Sequence, residues 1–143
     1  MNENNNNDLG VLDYYRQSGH EWYDLALADY INYPDASLTT FKNQNGDFAT
    51  TINRYPVPAI RVNRDGLVVM RGLLRTSSGS NNAGGNVIAH IPKIFQPRHP
   101  QEIRFTAAGA ILAYKPETGN LVVTDPYVTQ NWLTINNVMY YID

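Results

Sequence analysis

Several groups of residues have types that could do chemistry, and each has a plain alternative. His20 and Glu21, with Asp24 close behind, bring an imidazole and two carboxylates together. They are the pieces of a metal or acid–base cluster. A metal site needs three or four ligands at set spacing, and no further group stands at such a spacing, so the stretch reads as a polar strand surface. His90 and His99 bracket a proline-rich segment. A histidine base needs a nucleophile or a substrate proton within reach. No serine or carboxylate constellation points at either ring, and both read as packing or loop residues. Asn43, Asn45 and Asp47 alternate oxygen donors in the manner of a calcium loop. The closing bidentate glutamate is absent, and the stretch reads as a turn. The acids Asp35, Asp47, Asp65, Glu117 and Asp125 are scattered, mostly in turns, whereas glycoside hydrolysis needs two carboxyl groups facing one bond. With no cysteine in the chain, a thiolate nucleophile and a thiolate metal site are excluded. The chain is therefore expected to be a non-enzyme, with no catalytic residue, metal or cofactor.

Binding is the better-supplied chemistry. Aromatic rings offer flat apolar faces with a polar tip, which suit sugars and interfaces, and ten residues are tyrosine. Trp22, Tyr33, Tyr55, Tyr127 and Trp132 adjoin polar loops. Tyr127, in the polar loop Asp125-Pro126-Tyr127-Val128-Thr129-Gln130-Asn131, is the first candidate for ligand contact, with Tyr33 and Tyr55 beside it as candidates. Trp132 starts an alternating strand and reads as core. Arg71 sits among apolar neighbours. Either its guanidinium snorkels to a sheet edge or pairs with a carboxylate, or it contacts a second subunit.

The stretch that organises these residues is Ile60 to Arg75. Asn63-Arg64-Asp65-Gly66 is a strong hairpin signal, because Asp-Gly supplies the positive φ that two-residue turns need. After it, Val68, Met70, Gly72 and Leu74 share one face of a strand, and Leu67, Val69, Arg71 and Leu73 share the other. Both faces are largely apolar, so both should be covered. The second set is expected to meet a loop, the N-terminal segment or a neighbouring subunit, which makes Leu67, Val69, Arg71 and Leu73 the candidate oligomer contacts. Gly72 inside the run suggests a bulge or a close backbone approach.

The rest of the chain offers further short strands. Tyr23, Leu25 and Leu27 alternate; Asn45-Gly46 centres a turn between Phe41 and Phe48; Val87 to Ile91 is a short apolar run. Three prolines in Pro92 to Pro100 enforce an extended connection. Strands are expected at Glu102 to Ala108, Gly109 to Tyr114, Asn120 to Thr124, Trp132 to Ile135 and Val138 to Ile142. Thr76 to Asn86 has the composition of a flexible surface loop. Many short strands with regular turn signals indicate an all-β chain, an antiparallel β-sandwich or barrel. The asparagine-rich start makes residues 1–18 a flexible arm or linker, with the sandwich domain over 19–143. A formal net charge of -2 argues against nucleic acid as a partner. No apolar run approaches the roughly 18 residues of a membrane-spanning helix, and no signal peptide is evident.

Four segments, taken in order, carry a resemblance. They are Gly66-Leu67-Val68-Val69-Met70-Arg71-Gly72; Ile91-Pro92-Lys93-Ile94-Phe95-Gln96-Pro97; Thr118-Gly119-Asn120-Leu121-Val122; and Trp132-Leu133-Thr134-Ile135-Asn136-Asn137-Val138-Met139-Tyr140. With Tyr30-Ile31-Asn32-Tyr33 upstream, the chain resembles the C-terminal β-sandwich domains of tailed-phage tail fibre, baseplate and receptor-binding proteins. It departs from that pattern at Ile94 and Gln96, where glycine and arginine are usual. The resemblance implies a jelly-roll-like sandwich and a homotrimer, assembled in the host cytoplasm and carried on the virion. The N-terminal arm would tether it to other virion proteins, and it would contact a host surface saccharide. It transfers no ligand residues. Two other functions fit the same sequence: a purely structural virion part, such as a head fibre, plug or assembly adaptor, and a stand-alone carbohydrate-binding module.

Overall fold

The computed structural model describes residues 16, 21–33, 38–42, 45–46, 48–52, 57–126 and 130–143. The elements are β1 (Tyr23–Asp24), β2 (Tyr30–Asn32), β3 (Leu38–Lys42), β4 (Phe48–Ile52), β5 (Ala59–Val62), β6 (Leu67–Arg71), β7 (Leu73–Thr76), β8 (Val87–His90), a 3-10 turn (Lys93–Phe95), β9 (Ile103–Ala107), β10 (Ala110–Lys115), β11 (Asn120–Pro126), β12 (Trp132–Thr134) and β13 (Met139–Tyr141). They form sheets of order β1-β5-β6-β13, β8-β11-β10-β9 and β12-β7-β2, with β3-β4 as a separate hairpin. Every strand pairing is antiparallel. The chain is an all-β sandwich.

The core follows from alternation. Ile60 and Val62 on β5, Val68 and Met70 on β6, and Tyr140 on β13 point inward and are buried. Facing them are Phe105 on β9, Leu112 and Tyr114 on β10, and Leu121 and Val123 on β11. Tyr140 joins the two layers. Its ring lies 6.4 Å from that of Tyr114 and 6.3 Å from that of Phe105, and its hydroxyl donates to the Phe95 carbonyl at 2.7 Å. A buried phenol of this kind supplies apolar area and still satisfies its polar end.

The central hairpin differs from a two-residue turn. The Gly66 amide donates to the Asn63 carbonyl and the Asn63 amide to the Leu67 carbonyl, so Arg64, Asp65 and Gly66 form a three-residue loop. Among the described residues only glycines have positive φ, and Gly66 has φ 89°. This is the geometry of a type I turn followed by a glycine bulge. It spares Asp65 the strain that a two-residue type I′ turn would impose.

Gly72 is a close approach, as its position suggested. Its φ is 155°, and a Cβ there would lie 3.2 Å from Pro58 and 3.3 Å from the Ile135 side chain. The chain breaks at this point. β6 stays with β5 and β13, while β7 leaves to pair with β2 and β12. The inward–outward alternation nevertheless runs through the break, with Leu74 buried and Leu73 half-buried.

Two loops differ from expectation. The proline segment is not wholly extended, since Lys93–Phe95 make a 3-10 turn that buries Phe95. The polar loop after β7 is pinned to the body. Asn82 is buried there and its backbone amide donates to the Gln130 carbonyl at 2.7 Å. Composition signals solvent exposure only when no buried acceptor waits for the amide, and here several do. Of residues 1–18, only Arg16 is described, and it lies 3.5 Å from Asp143. The expected boundary between residues 18 and 19 falls outside the described residues.

Candidate binding surfaces

The outward face of the β1-β5-β6-β13 sheet gathers three of the candidate side chains, Leu67, Val69 and Arg71. Strand register sets its rows. Arg61 stands opposite Val69, and Val69 opposite Met139. Leu67 stands opposite Tyr141. Asp24 stands opposite Ala59, and Ala59 opposite Arg71. Met139 and Tyr141 are 50% and 59% exposed, beside half-buried Leu67 and Val69.

Trp22 lies on this face and organises its charges. The Arg71 Cζ is 4.2 Å and the Arg61 Cζ 4.6 Å from the centre of its ring. A guanidinium stacked on an indole is attracted by the ring quadrupole and keeps its N–H groups free in the plane. The Nε of each arginine is buried and makes no hydrogen bond. Among the described residues Arg71 forms no ion pair with a carboxylate. Asp24 is exposed and forms no ion pair among the described residues.

The other sheet carries a shallow concavity on its outward face. About 240 Å³ in volume, it is lined by Gly85, Arg104, Lys115, Val122, Val123 and Thr124. Its cations are already engaged. The Lys115 ammonium donates to Glu102 Oε1, and Arg104 Nε lies 3.6 Å from Glu102 Oε2. The hydrogen bond from Lys115 is the main reason the Glu102 carboxyl titrates below the usual carboxylate range.

Tyr33, just beyond β2, is 37% exposed and its amide donates to the Leu73 carbonyl at 2.8 Å. It therefore stands beside one of the candidate oligomer contacts. Tyr55 and Tyr127 lie outside the described residues. Leu67, Val69, Arg71 and Leu73 do share an outward, half-buried setting. His90 is a strand-end residue, with Nδ1 3.1 Å from the Asn120 side-chain oxygen across the ladder. His99 is exposed. Among the described residues no three of histidine, aspartate and glutamate converge as a metal site. His20 and the calcium-like residues Asn43 and Asp47 lie outside them.

Arg61 is the site residue that sequence reasoning passed over. It was visible in principle. Once the hairpin pairs Val62 with Val68, Arg61 and Arg71 must share a face.

No family model and no curated protein sequence matches the chain. Among solved structures, the crystal structure of the receptor binding protein of Listeria phage PSA is similar, with a TM-score of 0.52 and 10% sequence identity. The match covers 99% of this chain and 76% of that one. What the two share is the fold. At so low an identity the likeness carries no side-chain correspondence, and the surfaces above stand on this chain's own geometry.

Proposed function

We propose that this chain is a virion protein of a tailed phage, of the tail fibre or baseplate type, that attaches the particle to its host. The observation that carries this reading is the likeness of fold, over nearly the whole chain, to a phage receptor binding protein. The surface chemistry is compatible with it. Tyr23, Tyr33 and Tyr141 are exposed aromatic side chains available for contact. In this reading the ligand is a host surface saccharide, and the contacts are Tyr33, Tyr55 and Tyr127. No step of catalysis is involved, and residues 1–18 tether the domain to the rest of the virion.

The test is binding of the purified chain to intact candidate host cells and to their extracted surface polysaccharide. Saturable binding is expected. It should fall by at least about tenfold for Tyr127→Ala or Tyr33→Ala, the loss typical of a contact at the centre of an interface, with the circular dichroism spectrum unchanged. A folded chain that binds neither the cells nor the polysaccharide of its host would overturn the attachment reading and leave a structural virion part.

A further inference from the structure

Arg61 and Arg71 stand apart from the cations that meet an acid. Arg16 and Arg98 lie 3.5 and 3.1 Å from the Asp143 carboxylate, and Arg104 and Lys115 share that of Glu102. Arg61 and Arg71 form no ion pair among the described residues. Both rest on one indole instead. Their Cζ atoms are 4.6 and 4.2 Å from the centre of the Trp22 ring, so the two heads are at most the sum of those distances, about 9 Å, apart. Like charges held this close repel, and each Nε is buried without an acceptor. A buried donor left unsatisfied in a native fold requires an explanation, and a bound water or ion is one of the few that serve.

Strand register builds the cluster. β1 pairs with β5 through Tyr23 opposite Ile60 and Asp24 opposite Ala59. One step back along that register sets Trp22 beside Arg61. The row continues through Val69 on β6 to Met139 on β13. Arg71 enters from the neighbouring row, across Ala59 from Asp24. Trp22, Arg61 and Arg71 are all half-buried, and Val69 adds apolar surface beside them. Water is thus partly displaced from two cations that lack a counter-ion. That setting strengthens the pull on an incoming anion, because the local dielectric is lower than that of bulk solvent.

We infer that Arg61 and Arg71, braced by Trp22, form a binding site for an oxyanion, the phosphate or carboxylate group of a ligand lying on this sheet. The indole holds the guanidinium groups in place, and this preorganisation lowers the cost of ordering them around an anion. Two guanidinium forks suit a group with several oxygens and up to two negative charges, which favours phosphate over carboxylate. Asp24 narrows the choice. Its exposed carboxylate stands in the same row as Arg71 and repels a second anionic group, so the site fits one isolated charge rather than a dense polyanion. The site shares no residue with the tyrosine contacts proposed above and does not depend on the attachment reading.

The test is a nuclear magnetic resonance titration of the full chain at neutral pH with inorganic phosphate and, separately, with acetate, the ionic strength held constant with chloride. The Trp22 indole N–H and the Arg61 and Arg71 Nε–H signals report on the site. Saturable shifts of these signals are expected, with phosphate binding more tightly than acetate. Tighter binding of acetate would still support the site and assign it carboxylate ligands. Arg61→Gln and Arg71→Gln should each weaken phosphate binding by at least about tenfold, the scale of one hydrogen bond to a charged group. Arg71→Lys keeps the charge but loses the fork and should weaken binding as well. It decides the outcome if a glutamine variant loses its fold by circular dichroism. Shifts no larger than those given by chloride overturn the proposal, as do shifts that neither arginine variant changes. Shifts as large at Arg104 and Lys115 as at Trp22 mean an adventitious ion only, and overturn it too. The readout needs no host material, so failure here leaves the attachment reading standing, and failure to bind host cells leaves this site standing.

Discussion

Asn82 uses both ends of its side-chain amide. Its Nδ2 donates to the Gly109 carbonyl at 3.1 Å and to the Trp132 carbonyl at 2.8 Å, while its Oδ1 accepts from the Tyr30 hydroxyl at 2.9 Å. The Asn86 amide adds a longer bond to the same hydroxyl. One buried side chain thus ties the loop after β7 to β2, to the turn between β9 and β10, and to β12. Removing it strands two buried carbonyls, and leaving such groups unsatisfied is the costly side of hydrogen-bond energetics. Asn82→Ala is expected to lower stability by about 2–4 kcal/mol, read as a lower urea midpoint at an unchanged m-value. A loss below about 0.5 kcal/mol, the scale of a neutral surface substitution, would show that the network is replaceable by water. Asn82 lies inside Ser-Gly-Ser-Asn-Asn-Ala-Gly-Gly, and nothing in that composition distinguishes it from Asn81.

At the scale of elements, Gly72 decides where one sheet ends and the next begins. The Gly72 amide donates to the Asn136 side chain at 2.8 Å and its carbonyl accepts from the Ile135 amide at 3.0 Å. The junction is therefore stitched to the β12–β13 turn as well as packed against Pro58. A methyl at this position meets the Pro58 backbone and ring as well as the tip of the Ile135 side chain. Gly72→Ala is expected to cost about 1–3 kcal/mol, from the unfavourable φ and the contact together. Thermal denaturation of the variant would show it. Gly46, whose added Cβ meets nothing within 4 Å although its φ is also positive, is the control. Gly46→Ala should cost only the backbone part, of order 1 kcal/mol. Equal losses at both sites would mean that packing against Pro58 contributes nothing.

Across the whole molecule, Tyr30, Tyr114 and Tyr140 are expected to weaken the fold at alkaline pH. Burial raises the Tyr30 phenol above its usual value, with Asp29 adding to the effect and the Asn86 hydrogen bond opposing it. Burial likewise raises Tyr114, helped by Glu117, and raises Tyr140 furthest of the three, helped by Tyr114. These groups resist ionisation in the folded chain but ionise freely when it unfolds, at about pH 10. Their contribution is fully present below that pH and is lost as pH rises toward the folded values, because there the unfolded state binds fewer protons. Stability should fall steadily above about pH 10. In a spectrophotometric titration, the buried phenols should ionise only with the loss of tertiary circular dichroism. Tyr140→Phe removes one such group, but it also removes the hydroxyl that satisfies the Phe95 carbonyl. It should therefore flatten the alkaline loss while lowering stability at neutral pH. An alkaline slope equal to the wild type would show that Tyr140 does not contribute to the alkaline loss.

Period-two alternation in the sequence determined the all-β class, the strands around the central hairpin and the inward set Val68, Met70 and Leu74. A strand has only two faces, and a buried face must be apolar along its length. The same logic placed Leu67, Val69, Arg71 and Leu73 outward together, and it made Gly72 a point of close approach. What alternation does not encode is which strands become neighbours. That Trp22, just before β1, would lie over Arg61 and Arg71, that Met139 and Tyr141 would flank Val69 and Leu67, and that Asn82 would find three partners are results of strand order and loop path. Those depend on contacts between residues far apart in the chain, which only the assembled sandwich brings within reach.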